Sequence, residues 1–190
     1  MRLESDRLIT SLWIVLAIVW AVGALRTKRT RQRESVGFRL AYTVFVTLAL
    51  LLVFKPRFRP GVLGAFFVTP TPAVEWTAVA ITALGIAIAI AARVRLGGNW
   101  SGTVTVKEGH ELIQTGMYQF VRHPIYTGFL LAMLGSAIEV GRIGALLGVA
   151  VAAVALRVKS LMEEQFMEAE FGEQYREYRR RVKALIPFVW

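Results

Sequence analysis

Five long apolar runs decide what this chain can fold into. Ile9 to Leu25, Phe38 to Phe54 and Val74 to Ala92 are 17, 17 and 19 residues long, each with at most one charge. About 20 residues cross a bilayer core of about 30 Å, so all three read as spanning helices. From Pro124 the chain is apolar to Val140, turns at Gly141 and Arg142, and is apolar again from Ile143 to Val158. These last runs, of 17 and 16 residues, predict a tight helical hairpin, slightly short and therefore tilted or re-entrant if not fully spanning. At 55% hydrophobic and 19% charged residues, with a mean hydropathy of +0.51, the chain is too apolar for an ordinary soluble domain. The expected fold class is all-α: a polytopic membrane helical bundle of about five spans. One domain over 1–190 suffices, with N-terminal helices and an outer loop in 9–73 and a core in 74–190.

The net charge of +10 lies between the apolar runs rather than along one face, so it reads as membrane orientation, and no nucleic-acid partner is expected. Met1 to Arg7 carries two acidic and two basic residues without a clean cleavage site, so the first helix is expected to remain. Behind it Arg26, Lys28, Arg29, Arg31 and Arg33 form a cluster that the positive-inside rule places in the cytoplasm. Alternating from there puts 17 basic residues inside and 6 outside, with the amino terminus outside and the carboxyl terminus inside. Three of the outer six, Lys55, Arg57 and Arg59, run against the rule. They sit in a loop holding Pro56, Pro60, Pro70 and Pro72, which disfavours regular helix and predicts an irregular lid at the interface.

Polar chemistry concentrates in two stretches on the predicted cytoplasmic side. The first, Arg93 to His123, opens on Gly97, Gly98, Asn99, Trp100, Ser101 and Gly102. Glycines there break the helix and let backbone approach a ligand; a plain loop with Trp100 as an interface anchor is the simpler reading. It closes on GMYQFVRHPIYTG, residues 116–128, where Pro124 suits a first helical turn and is expected to hold His123 extended just outside it. Arg122 and His123 then sit at a helix mouth, Tyr126 lies just inside, and Gly128 thins the helix. Anchoring at headgroup level is the alternative for this group. The second stretch carries Glu163 and Glu164, which point about 100° apart on a helix, so that one can face the bundle and the other water or a basic neighbour. Phe171, Tyr175, Tyr178, Val182 and Leu185 then form an apolar stripe opposite Arg176, Arg179, Arg180, Arg181 and Lys183, an amphipathic cytoplasmic helix on the membrane or folded over the bundle. Zero cysteines exclude thiolate ligands and a Cys nucleophile, and two histidines argue against a His-rich metal site.

HELI at His110 to Ile113, RHPIYTG at Arg122 to Gly128, the hairpin, Glu163 with Glu164, and FGEQYREY at 171–178 together resemble the integral-membrane methyltransferases of the isoprenylcysteine carboxyl methyltransferase and phospholipid methyltransferase group. The resemblance covers about residues 80–187. Met117 stands where members commonly have proline. The resemblance implies S-adenosylmethionine as cofactor, bound by His110, Glu111, Leu112, Ile113, Tyr118, His123, Pro124, Tyr126, Gly128 and Glu163. Arg122, Glu163 and Glu164 are the candidate catalytic residues, with Arg122 clamping a carboxylate through its planar fork and a glutamate pairing with a cationic group. The acceptor would be lipophilic or membrane-associated, a carboxylate first. If it is an amine or thiol, a glutamate or His123 could take the proton. Two other classes stay open: an NADPH-dependent membrane reductase of sterol-reductase type, with Arg93, Arg95 and Lys107 for the 2'-phosphate, and a non-enzymatic membrane protein. No ionisable residue lies near the middle of a predicted span, which disfavours transport. Acceptor identity and oligomeric state are not encoded in any of these features.

The charge asymmetry yields a topological prediction. Single cysteines at Thr30 and after Trp190 should both resist an impermeant thiol reagent in right-side-out vesicles, and labelling of either contradicts the orientation.

Overall fold

The computed structural model describes residues 2–25 and 27–186. Arg26 and Trp190, and the side chains of Arg2, Arg31, Arg33 and Lys107 that entered the charge count, lie outside the described part. Within it α1 (Arg2–Ala24), α2 (Val36–Phe54), α3 (Pro72–Leu96), α4 (Pro124–Val140) and α5 (Ile143–Phe171) form a bundle, and α6 (Glu173–Arg181) caps one end. Four of the helices are long and apolar enough to cross a membrane; α4, at 17 residues, is the shorter fifth. Their outward faces carry Ile14, Ile18, Val44, Leu84 and Val154, all exposed. The chain is an integral membrane protein whose apolar side chains point outward because hydrocarbon, not water, surrounds them.

Local chemistry sets the element ends. Ser35 Oγ accepts from Phe38 N at 3.2 Å and Thr71 Oγ1 from Val74 N at 3.3 Å, capping α2 and α3. Pro72 and Pro124 occupy first-turn positions, where the missing N–H costs nothing. The hairpin turns where expected: Gly141 adopts φ 69°, a left-handed conformation open to glycine, and ends α4. The loop after α2 is irregular as predicted, with short 3-10 turns at Pro56–Phe58 and Gly61–Gly64, and it bonds to the hairpin turn through Phe67 N to Gly141 O and Ile143 N to Ala65 O, both 3.0 Å.

Three details differ from the sequence expectation. First, α5 does not stop at Val158 but continues 13 residues to Phe171, a length of roughly 44 Å in all that carries it past a bilayer core. Lys159, Ser160 and Glu164 are buried there by the loops and α6, so tertiary cover continues a helix that hydropathy ends. Second, a small antiparallel pair, β1 (Thr30–Arg33) with β2 (Thr105–Lys107), ties the first loop of this end to the polar loop after α3. Third, α6 ends at Arg181, so Val182 and Leu185 of the apolar stripe lie beyond it, in a segment pairing with Val121 to His123.

The most extensive helix pairing is α3 with α4, and small residues build it. A Cβ on Gly128 would lie 2.5 Å from Gly85 O and 2.6 Å from Ala89 N; one on Gly135 would lie 2.6 Å from Thr82 N and 2.7 Å from Ala78 O. Backbone thus meets backbone, as in other membrane helix pairs that lack a hydrophobic driving force. α1 is pinned to the seam by Trp13 Nε1 donating to Ser136 Oγ at 3.0 Å. Replacing Gly85 or Gly135 by Val should therefore cost about 3 kcal/mol or more, read as a large loss of thermal stability in detergent, while Gly37→Ala, where nothing lies within 4 Å, should be nearly neutral.

Candidate functional site

The polar loop after α3, the mouth of α4, the inner face of α5 and the α6 fold-back converge on one cavity of about 530 Å³. Along α5 its wall is Ala152, Leu156, Lys159, Glu163 and Met167, one helical face by spacing. Along α4 it is His123, Tyr126, Phe129 and Met133. Apart from Met167, both faces pass from polar residues at the loop end to apolar ones toward the bundle centre, and they change character at Tyr126 and Lys159. Asn99 to Thr103, Thr105 and His110 to Ile113 close the polar half; Trp13, Trp20, Val46 and Leu50 of α1 and α2 close the apolar half.

A charge network holds the polar half together. Glu164 is 2% exposed and receives Arg122 Nη2 at 2.7 Å and Nε at 3.2 Å, with Arg179 Nε 3.4 Å from its other oxygen. His123 lies between the glutamates, Nε2 3.1 Å from Glu164 and Nδ1 3.4 Å from Glu163. Its ring stacks on Tyr126, 5.5 Å between centroids, and the Tyr126 hydroxyl donates to Glu163 at 2.5 Å. Burial disfavours the imidazolium, but the hydrogen bonds and charges of Glu163 and Glu164 outweigh it and raise the His123 pKa above its ordinary value. His123 is therefore a spacer between two carboxylates whose charges favour its imidazolium form.

Most of the sequence candidates gather on this cavity. His110, Glu111, Leu112, Ile113, Tyr118, Arg122, His123, Tyr126 and Glu163 line it; Pro124, Gly128 and Glu164 do not. Pro124 shapes the helix start. His123, however, sits at φ −123°, ψ 59° rather than extended, because its N–H is held by Ala184 O at 3.0 Å while its carbonyl accepts the first α4 bond from Thr127. Gly128 faces α3, so its small size serves helix packing. Of the adjacent glutamates, Glu163 faces the cavity and Glu164 the buried network. Arg122 differs most from expectation: its fork holds Glu164, and its Nη1 donates to the carbonyls of Arg179 and Val182. Through these bonds it fastens the α6 segment over the site.

Several lining residues, Lys159, Tyr42 and Thr105 among them, escaped the sequence reading, and Asn99 figured in it only as part of the loop after α3. Lys159 Nζ donates to Gly102 O at 2.9 Å and stands 4.8 Å from the Tyr42 ring and 5.5 Å from the Tyr126 ring. Asn99 Oδ1 and Thr105 Oγ1 are buried without a hydrogen-bond partner. A lysine just past an apolar run and a polar loop after a helix looked like ordinary membrane punctuation, and Tyr42 belonged to a helix without a motif.

A family model described as phospholipid methyltransferase matches residues 73–174, more than half of the chain. The chain belongs to that family. The family segment runs from the start of α3 to the start of α6, so it holds the polar loop, the α4 mouth and the α5 wall, and leaves α1 and α2 outside. Protein-S-isoprenylcysteine O-methyltransferase B of Arabidopsis thaliana is 37% identical over 86 residues, 44% of this chain and 43% of that protein. Methanethiol S-methyltransferase 1 of Bradyrhizobium diazoefficiens is 40% identical over 72 residues, 38% of this chain and 25% of that protein. The chain thus spans less than half the length of these two relatives. The solved eukaryotic intramembrane Ras methyltransferase, isoprenylcysteine carboxyl methyltransferase, shares the fold, with a TM-score of 0.58 at 22% identity over 78% of this chain and 53% of that one.

The raised His123 pKa fixes a pH dependence. The imidazolium interaction is fully present below the ordinary histidine value of about 6.5 and is lost as pH rises through the higher folded value. Thermal stability in detergent should fall as pH rises through that window, and His123→Asn should flatten the slope; an unchanged slope would show that another group is responsible.

Proposed function

We propose that the chain transfers a methyl group from S-adenosylmethionine to an anionic, lipophilic acceptor, with the transfer at the level of Tyr126 and Lys159. The observation that carries this reading is the two-part cavity, polar at the loop end and apolar between the helices, with its change of character at one level of α4 and α5. Leu50, exposed on α2 yet part of the apolar wall, marks a side where a membrane-dissolved molecule can enter.

The polar half fits the cofactor. Asn99 Oδ1 and Thr105 Oγ1 are buried acceptors awaiting donors, which an amino acid and a nucleoside both supply. Glu163 presents a carboxylate to a cationic group at the cavity edge. When bound, the cofactor supplies a sulfonium methyl group open to in-line displacement. The protein's own task is then alignment, exclusion of water and charge placement. Lys159 is placed to hold the acceptor's anionic end: among the described residues its hydrogen-bond partner is Gly102 O, and two electron-rich rings flank it. A carboxylate acceptor already attacks as an anion and needs no general base, whereas a thiol acceptor first gives up its proton, to water or to Glu163 at the cavity wall.

The reductase reading loses support at the same place. Arg93 stacks on Trp100, 4.2 Å from the ring, and Arg95 Nε bonds Thr115; neither lines the cavity. Lys107's side chain lies outside the described part. The proposed orientation puts this end in the cytoplasm, where the cofactor is supplied.

Calorimetric titration of purified protein in detergent should show binding of S-adenosylmethionine and none of NADPH, and Glu163→Gln should weaken it. With a saturating cofactor, Lys159→Met should lower transfer to a lipophilic carboxylate or thiol by about tenfold to a hundredfold, the worth of a charged hydrogen bond. Binding of NADPH alone would overturn the proposal.

A further inference from the structure

Two donors from different helices meet on one backbone oxygen at the cavity wall. From α2 the Tyr42 hydroxyl donates to Gly102 O at 3.1 Å, and from α5 Lys159 Nζ donates to the same oxygen at 2.9 Å. We propose that Tyr42 and Lys159 form a two-donor clasp for one oxygen of the acceptor's carboxylate, and that Tyr42 makes the site prefer a carboxylate to a thiol. This rests on the transfer to an anionic acceptor proposed above. Gly102 O holds the place of the acceptor oxygen until the acceptor arrives.

Tyr42, Val46 and Leu50 recur every fourth residue, so one face of α2 lines the cavity and passes from a hydroxyl to aliphatic side chains, as the faces of α4 and α5 do. The Lys159 ammonium lies 4.8 Å from the Tyr42 ring and 5.5 Å from the Tyr126 ring, which puts all three at one level. A carbonyl oxygen that draws a hydroxyl and an ammonium from two walls offers them what a carboxylate oxygen offers, with less charge. A carboxylate is therefore the stronger partner for both donors. The charges of the wall admit an anion at this point. Glu111 pairs with Lys28, Arg122 with Glu164 and Glu163 with His123, whereas Lys159 has no carboxylate within ion-pair distance among the described residues. Glu34, whose charge also reaches Tyr42, is not part of the wall.

A carboxylate has two oxygens, so one stays in the clasp while the other attacks. The free oxygen forms a bond to the methyl carbon, the bond from that carbon to sulfur breaks, and its electron pair remains on sulfur. A carboxylate and a sulfonium thus become a neutral ester and a neutral thioether, and no proton moves. A thiolate has a single sulfur, and hydrogen bonds that held it would withdraw electron density from the atom that must attack; sulfur is also the weaker acceptor. The clasp therefore assists carboxylates selectively. Methylation removes the negative charge that strengthened the two bonds, so the donors return to Gly102 O and the ester is free to leave. Tyr42 lies outside residues 73–174, so the selectivity is carried by a helix that the family model does not match.

The test compares wild type with Tyr42→Phe, which keeps the ring beside Lys159 and removes the donor, using dodecanoate, dodecanethiol and dodecanol in an uncharged detergent. With saturating S-adenosylmethionine, the ratio of kcat/KM for dodecanoate to that for dodecanethiol should fall about tenfold in the variant, the worth of one hydrogen bond to a charged group, and the change should lie in the KM for dodecanoate. With S-adenosylhomocysteine, where nothing reacts, wild type should bind dodecanoate more tightly than dodecanol, and Tyr42→Phe should shrink that difference about tenfold. This binding comparison decides if neither probe is methylated. If the variant does not fold, infrared spectra of isotope-labelled dodecanoate on the wild-type chain decide, because holding one oxygen widens the gap between the two carboxylate stretches. An equal loss for both acceptors, an unchanged binding difference, or a gap no wider than in the free ion would overturn the clasp and leave Tyr42 as a tie to the loop. Failure of S-adenosylmethionine to bind wild type would instead overturn the transfer reading, and it is seen before any acceptor is added.

Discussion

A carboxylate removed from water is costly unless several partners meet it, and Glu164 is such a group. Its partners come from three places in the chain: Arg122 before α4, His123 at the α4 cap and Arg179 on α6. Satisfying one buried charge therefore brings the mouth of one helix, the middle of a second and the whole of a third into register. The backbone follows, with Arg122 N bonding Lys183 O at 2.8 Å and His123 N bonding Ala184 O at 3.0 Å. Tyr178 completes the closure through a 2.6 Å bond from its buried hydroxyl to Tyr118 O. The polar end of the cavity owes its shape to this knot.

The other end of α4 is held by a different force. Gly85, Gly128 and Gly135 let α3 and α4 approach until backbone touches backbone, which fixes the height of His123 relative to the loop leaving α3. Dispersion between closely packed small residues and ionic closure thus act on one helix from its flank and its mouth. With both in place, Tyr126 and Lys159 meet at one level without any long loop having to position them.

Much of this was legible in the sequence because the strongest signals were local. Apolar length announced the helices, Gly141 with Arg142 announced the hairpin, and the RHP string with two adjacent glutamates marked the residues of the knot but not their pairing. What stayed hidden depends on partners far along the chain. Hydropathy could not extend α5 past Val158, because its continuation rests on cover by loops and α6. The β1–β2 pair joins segments some 75 positions apart, which no local periodicity reports. Arg122 was legible as a fork, but not what the fork would hold, and Gly128 as a thin place, but not which neighbour needed it.

The wall supplied by α1 and α2 has a consequence for how such a chain can vary. Trp13, Trp20, Tyr42, Val46 and Leu50 bound the cavity, yet all lie outside the segment that the family model matches. The shape of the greasy half can thus change through substitutions that leave the knot, the glycine seam and the polar loop untouched. The two halves of the cavity are separable in heredity although they are continuous in space.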